Sequence, residues 1–295
     1  MSNSQDRPNV LMMVPHDLGD HLGCYGHQSV RSPRLDGLAE EGVRLANCFT
    51  TAPECSPSRG GMMTGLFSHQ NGLMGLANFG WDIRPEVPHL ARRLREGGYE
   101  TRLFGFQHEN HGNPGYLGYQ HTYSQDDCSA GGVCDALKEF FGSREARSGP
   151  WFAHAGFSDV HRPWRGETSF SPEEVEIPPY LPDLSPVRDE MAHFHQNILD
   201  MDRAVGGALD ALEKAGLAEE TVVIFTTDHG IGFPRAKATF YDPGIRLATI
   251  VRWPGRIRSG VVPDNLISNL DLTPTVLEMC GVGVPDGLEG RSYLP

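Results

Sequence analysis

Cys55-Ser56-Pro57-Ser58-Arg59, followed by Gly60-Gly61-Met62-Met63-Thr64-Gly65, combines a nucleophile, a helix-starting proline and a fixed cation. Proline is tolerated in a first helical turn, where its missing N–H is not needed. The spacing puts Cys55 just before a helix start, with Arg59 one turn further on and on the same face. A helix N-terminus and a guanidinium both favour negative charge, so the segment reads as an activated thiolate. The plainer reading is a packed cysteine at a helix cap.

Two further pairs can hold a cation. Asn9-Val10-Leu11-Met12-Met13-Val14 is an apolar run closed by Pro15 and followed by His16-Asp17. Thr221 to Thr227 is a second such run, followed by Asp228-His229-Gly230. Continuous apolar runs of this length suit strands buried on both faces. In open α/β sheets ligands bind beyond the carboxyl ends of strands, so adjacent parallel strands would bring both pairs to one edge. Aspartate and histidine together suit a divalent ion. Either pair alone reads equally as a solvated turn.

Strands and helices alternate along the chain. Strands are expected at 9–14, 43–49, 99–105, 151–157, 221–227 and 248–252. Helices are expected at 32–41, 56–66, 88–96, 133–141, 186–215 and 270–280. Ser32-Pro33 supplies a cap and a first-turn proline, and glycines 42, 97, 216 and 281 supply stops. Two long excursions remain, at 106–129 and 162–186. The alternation predicts an α/β fold: a large, mostly parallel sheet with helices on both faces.

The chain has 295 residues, a formal charge of −13, six cysteines and thirteen histidines. The negative charge and the lack of a Lys/Arg run argue against nucleic acid as partner. No apolar run approaches the ~20 residues of a membrane span, so no membrane partner is expected. Residues 1–8 lack the apolar core of a signal peptide, which predicts a cytoplasmic protein. The scattered cysteines read as buried thiols, not as a disulfide framework.

The pattern C-x-P-S-R-x-x-x-x-T-G resembles the signature of type I sulfatases, in the alkaline phosphatase superfamily. The resemblance runs from Pro8 to Pro295. It implies that a maturation enzyme oxidises Cys55 to formylglycine, whose hydrate is the nucleophile. His16-Asp17-Leu18-Gly19 resembles the family's D-D-L-G, and Thr227-Asp228-His229-Gly230 its late metal motif. His16, Asp17, Asp228 and His229 thereby become metal ligands for one divalent ion, calcium first, with manganese or magnesium as alternatives. His16 stands where the family has aspartate, and imidazole suits calcium poorly.

Phe104-Gly105-Phe106-Gln107-His108 is similar to G-K-W-H, which makes His108 catalytic and leaves Phe106 in place of a lysine. Ser158-Asp159-Val160-His161-Arg162-Pro163 resembles the segment bearing the acid histidine, His161. Lys237 matches a sulfate-binding lysine. Ser68-His69-Gln70-Asn71-Gly72-Leu73 and Asp271-Leu272-Thr273-Pro274-Thr275 look like the N-sulfoglucosamine sulfohydrolase group.

The implied activity is hydrolysis of a sulfate ester or sulfamate on a small molecule or saccharide. The polar residues Gln107, Glu109, Asn110, His111 and Asn113 are expected to meet sugar hydroxyls, and Arg162 to bind a second anionic group of the saccharide. The chain is expected to be one catalytic domain over 1–295, with the family's smaller C-terminal domain missing or truncated. Two other readings stand beside it: a phosphonate monoester or phosphodiester hydrolase on the same scaffold, and an inactive relative acting as a binding module.

Overall fold

A computed structural model describes residues 7–164 and 166–294. Strand β1 (Asn9–Val14) occupies the middle of a seven-stranded sheet. With β2 (Val43–Arg44), β4 (Glu100–Gly105), β5 (His121–Tyr123), β6 (Trp151–Gly156), β7 (Thr221–Thr226) and β9 (Thr249–Arg252), the order is β2-β9-β7-β1-β6-β4-β5. β1 pairs in parallel with both β6 and β7, and β4 in parallel with β5 and β6. Only β9 runs against the rest, pairing antiparallel with β7 and β2.

Both faces of the sheet are covered. Leu11 and Met13 pack on one side with Val133 and Leu137 of α5 (Ala130–Gly142) and Phe194 and Ile198 of α6 (Ser185–Lys214). Val10, Met12 and Val14 pack on the other side. Their neighbours there come from α2 (Cys55–Thr64), α4 (Leu90–Glu96) and α8 (Leu272–Met279). This is why β1 is apolar at every position instead of alternating. Truncating a fully buried residue such as Leu11 to alanine costs about 2–5 kcal/mol. Two further helices, α3 (Ser68–Asn71) and α7 (Asp242–Ile245), have four residues each. Among the described residues no helix is long and apolar enough to cross a membrane.

Several local expectations change. The stretch 43–49 divides into β2 in the large sheet and β3 (Cys48–Phe49) in a small second sheet. There β3 lies between β8 (Arg246–Leu247) and β10 (Ile267–Ser268). Two-residue strands are too short for a periodicity signal. The helix expected from residue 88 begins at Leu90, where the His89 ring accepts from Ala91 N–H.

Ser32 precedes α1 (Pro33–Glu41), yet its side chain does not cap that helix. Its Oγ instead accepts from Gly23 N–H and donates to Asp36. The N–H groups of Arg34 and Leu35 go to the carboxylate of Asp202, on α6. The orphan donors of a first turn need acceptors, and here they come from a distant helix.

Candidate active site

Four strand ends meet at one edge of the sheet. β1 runs into His16 and Asp17, β7 into Asp228 and His229, β6 toward His161 and β4 toward His108. Because these strands lie in the order β7-β1-β6-β4, residues up to 213 positions apart become neighbours. The cleft above them, of about 870 Å³, is lined by His16, Cys55, Phe106, His108, His161 and Lys237, among others.

Cys55 is the first residue of α2, and Glu54 caps it through a side chain that accepts from Cys55 N–H. Its Sγ lies 3.3 Å from His229 Nε2 and 3.4 Å from Glu54 Oε1. Burial works against ionisation of this thiol, but His108, His16 and His229 outweigh it and draw the pKa down to about 3. The expected role of Arg59 therefore changes. The guanidinium, 0% exposed, turns away from Cys55 to Asp228 Oδ2 at 3.1 Å and the Pro15 carbonyl at 3.0 Å. Imidazoles, not the guanidinium, are what favour the thiolate.

Asp17 adopts φ +59, in the left-handed region that aspartate tolerates better than most residues. Its N–H donates to Asp228 Oδ1 at 3.0 Å, and its Oδ1 sits 2.6 Å from His16 Nδ1 and 3.1 Å from His229 Nε2. Lys237 Nζ donates to both Asp17 oxygens, at 3.0 and 2.9 Å. His229 Nδ1 faces the Gly230 carbonyl at 2.8 Å, so Nδ1–H donates there and Nε2 is left for the cluster. Gly230 is required sterically, since a Cβ there would stand 1.8 Å from the Pro243 carbonyl oxygen.

The charges are strongly interdependent. Burial opposes ionisation of Asp17, yet hydrogen bonds from His16 and His229 hold it well below the usual carboxylate range. Burial likewise opposes Asp228, and His229, His16 and Arg59 keep it low. Against burial, Asp228 and Asp17 lift His16 to about 9, and they raise His229 well above its ordinary value. Ligand atoms of His16, Asp17, Cys55, Asp228 and His229 all fall within 4.8 Å of one another. Two ionised carboxylates and two imidazoles at that spacing suit a divalent cation, and the donor set fits a borderline ion as well as a hard one. His16 lies inside this cluster, although the family pattern has aspartate there.

The two outer histidines frame the mouth. His161 Nε2 lies 3.7 Å from Asp17 Oδ2, and its ring meets that of His16 edge-on at 4.6 Å. His108 Nε2 faces Asn78 Oδ1 at 3.3 Å, while its buried Nδ1 has no hydrogen-bond partner among the described residues. Phe106 lies against His16 and His108, with Arg59 5.3 Å above its ring. The position where a lysine was expected is thus an aromatic wall.

The residues expected to meet a sugar are mostly otherwise engaged. Gln107 Oε1 accepts from the N–H groups of Glu109 and Asn110, and Asn113 caps its own turn. Glu109 is 0% exposed. Arg162 binds Glu190 and the Gly232 carbonyl and stacks on Trp164. These groups hold the loops in shape. The polar lining comes instead from Asn78, Asp126, Asp127, Ser129, Ser158 and Asn197, alongside Arg162. Nothing in the spacing of those residues marks them in advance.

An open, doubly covered α/β sheet with a cysteine-headed helix over an edge of clustered carboxylates and imidazoles defines the class of protein. Residues 8–282 match the Sulfatase family model, and the chain belongs to that family. It is 29% identical to human N-sulphoglucosamine sulphohydrolase over 332 residues, 97% of this chain and 65% of that protein. It is 27% identical to an ulvan-active sulfatase of Formosa agariphila over 333 residues, 98% of this chain and 54% of that protein. The chain thus spans between about half and two thirds of these relatives.

Two solved structures share the fold. The phosphonate monoester hydrolase of Agrobacterium radiobacter superposes with TM-score 0.82 at 22% identity, over 98% of this chain and 77% of that one. A protein solved with its substrate D-glucosamine-2-N,6-O-disulfate superposes with TM-score 0.78 at 21% identity, over 97% and 79%.

Proposed function

We propose that this chain carries the catalytic centre of a hydrolase that releases sulfate from a sulfated sugar, with a glucosamine N-sulfate as the favoured substrate. The observation that carries the reading is the position of Cys55 at the head of α2, 3.3 Å from His229 and within the Asp17–Asp228 cluster. Residue 55, oxidised to formylglycine by a maturation enzyme, supplies as its hydrate one hydroxyl to attack sulfur and a second whose deprotonation releases sulfate. Asp17, Asp228 and His229, with His16 beside them, would hold a divalent cation, which would supply Lewis-acid polarisation of the sulfuryl oxygens.

The remaining work belongs to the side chains. Lys237 neutralises Asp17 and offers its remaining proton to a sulfuryl oxygen, an electrostatic contribution made where charge accumulates. His161, 42% exposed at the mouth, donates a proton to the departing nitrogen or oxygen. His108, its Nε2 turned to Asn78, has Nδ1 free to take a proton from residue 55. Phe106 and the buried Arg59 keep water from the back of the site.

The choice of a sugar N-sulfate rests on the likeness to the human sulphohydrolase, together with the polar lining of the cleft. The experiment is sulfate release from N-sulfoglucosamine beside its 6-O- and 2-O-sulfated counterparts and an aryl phosphate diester. Turnover of an O-sulfated sugar with none of the N-sulfated one would refute the N-sulfate preference. Turnover of the diester alone would refute the sulfatase reading itself.

A further inference from the structure

Between β1 and α1 the chain carries a second group of metal-ligating side chains outside the catalytic cleft. Ligand atoms of Asp20, His21 and His27 lie within 4.8 Å of one another. His27 Nε2 is 3.4 Å from Asp20 Oδ1, and His21 Nδ1 is 3.7 Å from the same oxygen. Two donors on one tetrahedral ion, with bonds of about 2.0–2.1 Å, stand about 3.4 Å apart. The two imidazoles stack with centroids 4.0 Å apart and planes 19° from parallel, so one ring must turn about its Cβ–Cγ bond for both to face a shared ion.

His21 is the informative member. It is 5% exposed, and neither ring nitrogen has a hydrogen-bond partner among the described residues. Buried polar atoms in native proteins are nearly always satisfied, so such an imidazole calls for an explanation. An Asp20–His27 ion pair accounts for His27 but leaves His21 without a partner. The adjoining cavity, of about 230 Å³, is also lined by Glu176, Tyr180 and His195. Tyr180 Oη and His195 Nδ1 likewise lack partners among the described residues. Arg246 Nε approaches the other Asp20 oxygen at 3.9 Å, leaving Oδ1 to the histidines.

We propose that Asp20, His21 and His27 bind a divalent transition metal ion of the zinc type, separate from the ion of the catalytic cleft, with its open position facing Tyr180 and His195. Two imidazoles and one carboxylate suit such an ion better than calcium or magnesium, which take oxygen ligands. An ion here would cross-link residues 20, 21 and 27 of the loop after β1, beside Tyr180 and His195 in the adjoining cavity. Its role is to fasten the loop that follows Asp17.

The test uses the full chain, stripped with a chelator, loaded with Zn2+ alone and desalted before metal analysis. Asp228→Ala serves as the background in which the catalytic ion is weakened. That protein is expected to retain about one equivalent of zinc, and the Asp228→Ala/His27→Ala protein close to none. Loss of outer partners already costs about 10–100-fold in metal affinity, so loss of the ligand His27 is expected to cost at least about 100-fold. His27 is on the surface side of the cluster, and His27→Gln provides a second variant of closer shape. Zn2+ is also expected to raise the Tm of the Asp228→Ala protein and not that of either double variant. Equal zinc affinity with and without His27, or no zinc in the Asp228→Ala protein, overturns the proposal.

Discussion

Nε of Arg59 lies 3.1 Å from Oδ2 of Asp228, and both side chains are 0% exposed. The pair fixes one carboxylate of the cation cluster from behind and ties α2 to the end of β7. A second bond, from Arg59 Nη2 to the Pro15 carbonyl, ties the same helix to the end of β1. Breaking a buried pair by removing one partner leaves an uncompensated charge and costs about 3–5 kcal/mol. Arg59→Ala is therefore expected to lose that much stability in urea denaturation. Arg59→Ala/Asp228→Asn is expected to lose less than the sum of the single changes. Additive losses would mean that the two side chains are not coupled.

Cys55 is expected to carry the nucleophile after oxidation. Protein made with a formylglycine-generating enzyme should show the mass of formylglycine in the peptide containing residue 55, and protein made without one should show cysteine. Cys55→Ala should fold with near-native stability and lose turnover. Undiminished activity in that variant would sink the proposed chemistry.

The cation cluster makes a separate prediction. Asp228 accepts from Asp17 N–H and His229 N–H besides facing Arg59, so it organises both strand ends that supply the proposed metal ligands. Asp228→Ala is expected to lose catalytic metal and activity together, with activity not restored by millimolar calcium, magnesium or manganese. Chelation of the unaltered protein should abolish activity reversibly. Full activity in the Asp228→Ala protein, or no effect of chelation, would remove the cation from the mechanism.

Much of this site was legible because its residues follow buried strands. Apolar runs at 9–14 and 221–227 announce strands, and parallel pairing then forces His16-Asp17 and Asp228-His229 together. The Cys55 segment was legible as a helix start for a similar reason, a proline in the first turn. What the sequence did not disclose are choices made across long separations. Arg59 was expected to face the Cys55 thiolate, and only the placement of β7 gives it Asp228 instead. Gln107, Asn110 and Asn113 have the right chemistry for a sugar, but short loops consume such groups in their own turns. The Asp202 cap on α1 comes from 168 residues away, where no local pattern reports it.

That cap leads to a pH prediction. Burial pushes the Asp202 carboxyl up to about 6, with the Arg34 and Leu35 N–H groups pulling it the other way. An unfolded aspartate titrates near 3.9, so the folded state holds the proton more tightly. The contribution of this group to stability is thus fully present below about pH 4 and is lost as pH rises through about 6. The change is on the order of 1–3 kcal/mol at ~1.4 kcal/mol per unit. Asp202→Asn keeps an acceptor for the helix N–H groups and does not titrate. Its stability profile between pH 4 and 6 should lie flatter than that of the unaltered protein, and identical profiles would exclude Asp202 as the source.

The last prediction separates the two outer histidines by the kind of substrate that needs them. His161 sits at the mouth of the cleft with its Nε2 toward Asp17, where a departing group would leave. A sugar nitrogen or alkoxide is a poor leaving group and needs a proton, whereas a nitrophenolate leaves without one. Positioned proton transfer contributes about 10²–10⁴-fold. His161→Ala is expected to lower kcat on a sugar sulfamate or sulfate by that factor and on 4-nitrophenyl sulfate by about tenfold or less. In the proposed mechanism His108 acts on residue 55 itself, so His108→Ala should slow both substrates alike and allow sulfate to accumulate on the protein. Steady-state kinetics on the two substrates, with intact-protein mass spectrometry after a single turnover, provide the measurement. An equal loss on both substrates for His161→Ala would show that His161 is not the acid, and the proton would then have to come from another cleft residue.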